Sequence, residues 1–434
     1  MNDITVIGAG LAGCEAAYQL AERGFTVELY EMRPKLLTPA HKTAMLAEIV
    51  CSNSLGSENK NDRVSAAGIL KEELALMNSL ILSCANASRV PAGGALAVDR
   101  EKFSSLVTER ITSHKNIHLI REEYTDVPKT AAIISSGPLT SDRLAESLRA
   151  VAGERIYFYD AVAPVVTRES VDMSKVFVTG RYGRSDDYIN CPMSKDEYSA
   201  FYDALIHAQR NVPHDFEKGA KYFEGCMPVE ALAERGVDTL RFGPMKPRGL
   251  TDPRTGREPY AAVQLRQDNS EGTLFNLVGF QTGLKWPEQK RVFAMIPGLE
   301  NAEFVRLGVM HRNTSVNAPV VLDEWLRLRG YDDVFLAGQI TGVEGYMEST
   351  AMGLVAGINA SSLLSGKELP SWPRECAAGS LLNYLRTAEP EHFQPMNMNL
   401  GIFPQVSGIK GKKERAMFHR TRALNALNEF LRTL

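Results

Sequence analysis

The sequence predicts an α/β fold in which a parallel sheet is interrupted by a separate α+β segment. Three observations carry this. The chain opens strand–glycine–helix–strand: Ile4–Ile7 is an apolar run ending at Gly8, Leu11 to Arg23 has helical spacing with Gly24 as its stop, and Phe25–Tyr30 is a second apolar run closed by Glu31. The strand-to-glycine pattern returns far downstream, at Ala131–Gly137 and again at Val334–Gly338, where a helix over 353–364 follows. Between them, from about Phe177 to Phe280, short alternating runs such as Tyr260–Arg266 and Thr273–Phe280 stand between turn signals, among them the stretch Arg248–Gly256. The expected organisation is a discontinuous Rossmann-like domain with an inserted α+β domain. Its first part covers 1–176, the insert 177–297, and its second part 298–434 with a basic C-terminal tail. Helices are expected at Leu70–Leu82, Lys195–Ala208 and Pro228–Arg235; Thr38–Ser57 is polar and irregular.

Composition narrows the class. The 434 residues are 44% hydrophobic and 23% charged with a net charge of −3, which excludes disorder as the main state. Six cysteines without a C-x-x-C pair are too sparse for a disulfide framework. The start Met-Asn-Asp-Ile-Thr-Val-Ile lacks the pattern of a signal peptide, and no stretch approaches the roughly 20 apolar residues of a membrane span. The expectation is a cytoplasmic protein with free thiols and no membrane association. The acidic balance argues against a uniformly basic nucleic-acid binder and leaves room for a local basic patch.

Gly8-Ala9-Gly10-Leu11-Ala12-Gly13 is G-x-G-x-x-G, placed after a strand, opening a helix, and followed by Glu31 at the end of the second strand. Gly8 permits the tight turn, Gly10 lets the backbone approach a pyrophosphate, and Gly13 lets helix and strand pack closely. The helix N-terminus then offers free N–H groups and the positive end of its dipole to the phosphates. Glu31 suits ribose hydroxyls and would repel a 2′-phosphate, so the dinucleotide is FAD or NAD. The late segment Gly338-Gln339-Ile-Thr-Gly342-Val-Glu-Gly345, leading to Gly353, favours FAD. A second helix N-terminus there suits the flavin ring and its anionic reduced form, and simple NAD dehydrogenases have no need of it.

More specific segments follow: Leu29-Tyr-Glu-Met-Arg33-Pro34, Val50-Cys-Ser-Asn-Ser-Leu55, Val90–Arg100, Phe223-Glu-Gly-Cys-Met-Pro228, Phe242–Pro247, Val309-Met-His-Arg-Asn-Thr314 and Phe393–Asn397. With the fingerprint and 337–345, they make the sequence resemble the bacterial folate- and FAD-dependent tRNA (uracil-5-)-methyltransferases over nearly its whole length. The resemblance implies FAD as cofactor, 5,10-methylenetetrahydrofolate as carbon donor, NADPH or NADH as reductant, and a T-loop uridine of tRNA as acceptor, with no S-adenosylmethionine and no stable protein partner. It also places Arg33, Gln339 and the late glycines among the cofactor-binding residues.

Uracil C5 is a poor nucleophile until a thiolate adds at C6, so this chemistry needs an activated cysteine and a group that removes the C5 proton. Cys14 and Cys84 fall in or at the ends of helical patterns, Cys376 follows the late helix, and Cys191 precedes Pro192. Cys51 lies in a Ser/Asn-rich segment and Cys226 between glycine and proline. The resemblance singles out the last two, with Cys226 as C6 nucleophile and Cys51 as general base or flavin-side thiol; the division of roles stays open. His311, beside Arg312, is either a ring that stacks on the pterin or a hydrogen-bonded core histidine, and Trp286 is a second aromatic expected in the core. Lys410, Lys412 and Lys413, with Arg415, Arg420 and Arg422, form one basic cluster. Arg241, Lys246, Arg248, Arg254, Arg257 and Arg266 form another in the insert. Both are candidates for tRNA phosphate contacts. Two other functions fit parts of this pattern: a related FAD and folate enzyme acting on the wobble uridine, usually a longer chain, and a non-catalytic FAD-containing RNA-binding protein.

Overall fold

A computed structural model of the chain describes residues 3–38, 40–59, 63–153, 156–211, 221–222, 227–308 and 310–434. Its organising sheet has five parallel strands in the order Val334–Leu336, Ala132–Ile134, Ile4–Ile7 (β1), Val27–Tyr30 (β2) and Ile117–Ile120. β1 is central, and its Ile4, Val6 and Ile7 are buried while Thr5 is half-buried, which is why the strand is mainly apolar. From β1 the chain crosses one way to β2 through the helix Leu11–Glu22 (α1), and the strand Ala132–Ile134 lies on the other side. The carboxyl end of β1 is therefore a topological switch point, where doubly wound sheets open a crevice.

The late helix runs Tyr346–Leu364 and starts before the expected position 353. Almost every residue in it is buried, so no apolar stripe marks its first turn. It lies directly on α1. A Cβ at Gly353 would run into the Ala12 carbonyl, and one at Gly357 would come 3.0 Å from the Ala16 carbonyl. The expected helix Leu70–Leu82 is two helices, Ala66–Leu76 and Leu80–Ala87. Asn78 turns the chain at φ 55°, and the Ser79 side chain caps the second helix by accepting from the Leu82 N–H.

The insert is built on a six-stranded antiparallel sheet in the order Phe177–Val178, Tyr188–Met193, Ala261–Gln267, Leu274–Leu277, Val165–Thr167 and Phe304–Arg306. The last two strands fall outside 177–297, so the sheet extends across both expected boundaries. One face is apolar: Ile189, Leu265, Leu277 and Val166 join a core with Tyr198, Phe201, Phe280 and Phe293. The other carries a row of directly opposed residues, Tyr188–Arg266–Asn276–Val165–Arg306. Arg306 joins that row through a register shift. Phe304 opposes Val166 on the apolar face, and the irregularity after it turns Arg306 to the other side, opposite Val165. Trp286, expected in the core, opens its helix 57% exposed, because Val292 and Phe293 supply that helix's buried face. Among the described residues no helix is long and apolar enough to cross a membrane.

Candidate active site

A cavity of about 500 Å³ opens at the carboxyl end of β1. Its walls come from the turn after β1, the end of β2, the segment 50–56, the loop 135–141 and the start of the late helix. Gly8 adopts φ +95°, and a Cβ there would meet the Ser135 carbonyl at 2.7 Å, so only glycine fits this turn. Gly10, the N-cap of α1, supplies no side-chain cap and has open space where a Cβ would stand. Gly345, the N-cap of the late helix at φ +115°, also lacks a side-chain cap, but the Glu348 carboxyl fills the space where its Cβ would stand. The α1 N-terminus thus faces the cavity with uncapped N–H groups, a polarity suited to anionic groups, whereas the late helix brings the Glu348 carboxyl to its own start.

Of the residues expected to bind the cofactor, Gly8, Gly10, Leu11, Ala12, Glu31, Arg33, Gly338, Gln339 and Gly345 line this cavity. Ala9, Gly13, Gly342 and Gly353 do not. The Ala9 N–H donates to Glu31 Oε2 at 3.2 Å. Gly13 abuts the Gly8 carbonyl, Gly342 abuts the Phe393 ring, and Gly353 seats the late helix on α1. These three glycines shape the cavity by allowing close packing behind it. Glu31 is 5% exposed and its Oε1 accepts from the Arg33 backbone N–H at 3.0 Å and Arg33 Nε at 2.9 Å. Burial opposes its charge, but the Arg33 hydrogen bonds and positive charge outweigh burial and hold the carboxyl below its ordinary value. Arg33 is gripped on its other side by Glu48 at 3.1 Å. The carboxylate is thus pre-oriented at the tip of β2, and a ribose would share it with Arg33.

Cys51 lines the same cavity, and its loop is clamped from three directions. Arg100 Nη1 donates to the Ile49 carbonyl at 2.8 Å while its Nε pairs with Asp268. Arg266, from the insert, donates to Ser52 Oγ at 2.8 Å and Asn53 Oδ1 at 3.0 Å; Asn53 in turn donates to the Gln267 carbonyl. Tyr346, the first residue of the late helix, places its Oη to accept the N–H groups of Val50 at 3.1 Å and Cys51 at 3.0 Å. Oη also lies 2.9 Å from Cys51 Sγ. With two N–H groups already on the oxygen, the phenol's own proton is what remains to share, and Sγ is the acceptor it faces. Burial, and then the neighbouring Cys51, raise the Tyr346 phenol well above its ordinary value, so it keeps that proton. The arrangement favours sulfur as acceptor, the role a thiolate fills best.

The other described thiols have no such setting. Cys14, Cys191 and Cys376 are fully buried, and burial pushes each far up. Burial lifts Cys84 to about 11. Cys226 lies outside the described residues. His311 and Arg312 sit in the strand Met310–Ser315, opposite Asp160 and Tyr159, but their side chains lie outside the described part. Lys410, Lys412 and Lys413 are exposed at the start of the helix Lys412–Leu431. Two members of that cluster are engaged otherwise: Arg420 pairs with Glu72 at 2.7 Å, and Arg422 donates to the Pro404 carbonyl. The second basic cluster is weaker than its sequence suggests. Arg266 is 6% exposed and clamps the Cys51 loop, Arg254 pairs with Asp252, and Arg241 pairs with Asp238. Lys246, Arg248 and Arg257 remain exposed. Sequence reasoning missed Tyr346 and the clamping role of Arg100 and Arg266. Tyr346 had one signal, its place directly after Gly345 at a helix start.

Residues 3–368 match the family described as "Glucose inhibited division protein A". A methylenetetrahydrofolate–tRNA-(uracil-5-)-methyltransferase TrmFO from Desulforamulus reducens is 57% identical over 99% of this chain and 97% of its own length. The protein of the same name from Geobacter sulfurreducens is 57% identical over 99% of both chains. The chain belongs to this family. Among solved structures, GidA from Aquifex aeolicus superposes with a TM-score of 0.70 at 17% identity, covering 99% of this chain and 78% of the longer GidA chain. That likeness shows the α/β fold.

Proposed function

We propose that this chain transfers a one-carbon unit from 5,10-methylenetetrahydrofolate to C5 of a T-loop uracil in tRNA and delivers it as a methyl group, with FAD held in the cavity and NADPH or NADH as the source of electrons. The observation that carries the reading is Cys51 Sγ in the cavity wall, held as an acceptor by Tyr346. The relatives named methylenetetrahydrofolate–tRNA-(uracil-5-)-methyltransferase match the chain end to end, which supports uracil C5 of tRNA as the acceptor and methylenetetrahydrofolate as the donor.

The residues present fit FAD. The open space at Gly10 and the bare helix start there would take the pyrophosphate, Glu31 with Arg33 the adenosine ribose, and Gly338, Gln339 and the helix start at Gly345 the flavin end. When bound and reduced by NADPH or NADH, the flavin would supply the hydride that turns methylene into methyl.

The chain's own residues do the rest. Tyr346 and Arg100 fix the backbone of 49–51, so Cys51 meets the cavity in one orientation. Cys226 is the residue we assign to addition at uracil C6; Cys51 then removes the C5 proton or acts on the flavin side. Support comes from Val229, three residues on, whose N–H donates to the carbonyl of Gln281, a residue of the cavity wall. His311 and Arg312 are assigned to the folate, and Lys410, Lys412 and Lys413 to tRNA phosphates. The test supplies purified protein with unmodified tRNA, NADPH and methylenetetrahydrofolate labelled in its one-carbon unit. The label should appear in 5-methyluridine of the T-loop. Label arriving instead from methyl-labelled S-adenosylmethionine would refute the reading, as would no transfer from folate by flavin-loaded protein.

A further inference from the structure

The late helix carries a buried acid in its first turn. Glu348 is 6% exposed and lines the cavity beside Gly338, Gln339, Gly345 and Met398. Its side chain folds back over the helix start. A Cβ at Gly345 would run into Glu348 Oε2, and Gly345 holds φ +115°, so glycine at this position is what lets the carboxyl lie there. Oε1 accepts the Met398 N–H at 2.9 Å. The carboxyl thus has a fixed place in the wall, at the end of the cavity assigned to the flavin.

The surroundings do little to balance a charge on it. Glu348 makes no ion pair among the described residues. The helix Ala66–Leu76 turns Lys71 towards it, but that ammonium is itself buried and donates to the carbonyls of Ser57 at 3.0 Å and Ala67 at 3.3 Å. Glu58, which also acts on Lys71, pairs with Arg89. In the turn before the late helix, Glu344 accepts from Gln339 Nε2 at 2.8 Å, and the Tyr346 hydroxyl is committed to the Cys51 loop. The strand Ser54–Ser57 and the segment 396–398 bring no titratable side chain. Burial raises the Glu348 carboxyl, and the Met398 N–H and Lys71 offset only part of that rise.

A flavin reduced to its anion next to an ionised Glu348 would set two negative charges at one buried helix start, and like charges in such a place favour taking up a proton. We propose that Glu348 is the proton partner of the flavin: its carboxyl takes up a proton when the flavin in this cavity is reduced and releases it when the flavin is reoxidised. In the first step a hydride leaves NADPH or NADH for the flavin, the oxidised nicotinamide departs, and a solvent proton forms an O–H bond on the Glu348 carboxylate. In the second step the hydride passes to the methylene carbon, that O–H bond breaks, and the proton returns to solvent. The exchange operates between the pH at which the carboxyl titrates beside oxidised flavin and the higher pH at which it titrates beside reduced flavin. The proposal rests on the reading of the cavity as an FAD site.

The test is a spectroelectrochemical titration of full-length, FAD-loaded protein without tRNA or folate, from about pH 5 to 9, with flavin content measured first. Reduction to the anion alone takes up one proton for two electrons; the wild-type protein should show a pH segment in which a second proton is taken up. Glu348→Gln should take up only one there, and Glu348→Asp should restore the second. The Gln variant should be reduced as readily as wild type at the acid end of the segment and more readily at the alkaline end, the two reduction equilibria parting by about tenfold for each pH unit crossed. A second proton that persists in Glu348→Gln belongs to the flavin's own nitrogen and overturns the proposal, as does a wild-type protein that takes up one proton throughout. If Glu348→Gln does not hold FAD, infrared difference spectra of the wild-type protein decide: the carbonyl band of a neutral carboxyl should grow on reduction and shift in heavy water, and its absence overturns the proposal. Folded protein that binds no FAD would instead refute the reading of the cavity.

Discussion

Replacing Tyr346 by Phe removes one oxygen atom and keeps the ring. The structure says what that atom does: it accepts the N–H groups of Val50 and Cys51 at 3.1 and 3.0 Å and stands 2.9 Å from Cys51 Sγ. Two half-buried amides would lose their acceptor. At about 1 kcal/mol net per hydrogen bond, local opening of this loop becomes easier by about 2 kcal/mol. Amide exchange at Val50 and Cys51 should then accelerate roughly 30-fold. The Val98 N–H, bonded to the Asn53 carbonyl at 3.0 Å, should keep its protection, because Arg266 still holds Asn53. Cys51 also loses the donor that favours its anion, so its alkylation midpoint should rise. Hydrogen exchange resolved to single residues in flavin-loaded protein measures the first effect. Unchanged exchange at Val50 and Cys51 would refute the assignment of Tyr346 as the post that holds this loop.

Gly353→Ala puts a methyl group against the Ala12 carbonyl and should cost about 1–3 kcal/mol in denaturant unfolding, with weaker FAD retention because α1 and the late helix both border the cavity. Glu73, fully buried with both oxygens accepting the N–H groups that begin the helix Ala377–Thr387, is pushed up by burial to about 8. A carboxyl higher in the folded than the unfolded state stabilises most below its unfolded value; wild-type stability should therefore fall as pH rises from about 4.5 to 8, by at most about 1.4 kcal/mol per pH unit from this group, and Glu73→Gln should flatten that slope. Removing charge at Lys412 and Lys413 should make the salt dependence of tRNA binding shallower by about 0.7–0.9 for each phosphate no longer neutralised, and an unchanged slope would take the C-terminal helix out of the interface. With 5-fluorouridine in the T-loop, C5 has no removable proton, so wild-type protein should trap a covalent adduct and Cys226→Ala should not; an adduct in that variant that vanishes in Cys51→Ala would reverse the two roles.

The opening strand, helix and strand were legible because each obeys a local rule: a central strand is mainly apolar, and the turn after it accepts only glycine. Legibility failed where tertiary contacts decide. The helix Tyr346–Leu364 is buried all round, so nothing in its first turn distinguishes it from loop. Val165–Thr167 and Phe304–Arg306 are three residues each, too short to show a period, and both fall outside the expected insert. Asn78-Ser79 did carry the signature of a turn and a cap, outweighed by the apolar residues on either side. At the site, the glycines of the fingerprint announced themselves and the residues that tension the Cys51 loop did not. Arg266 in a strand looks like a solvated charge until the sheet's polar face is seen docked on Ser52 and Asn53. In the insert's sheet, the place of Arg306 on the polar face depends on a register irregularity that no spacing rule anticipates.

Under the proposed function Cys51, held in the cavity wall, is needed for chemistry and not for the cofactor. Cys51→Ala in full-length protein tests it in one experiment: flavin content from the visible spectrum, and single-turnover transfer of label from methylenetetrahydrofolate to unmodified tRNA in the presence of NADPH. The variant should keep a flavin complement equal to wild type and form no labelled 5-methyluridine. Labelled 5-methyluridine formed at the wild-type rate would contradict it.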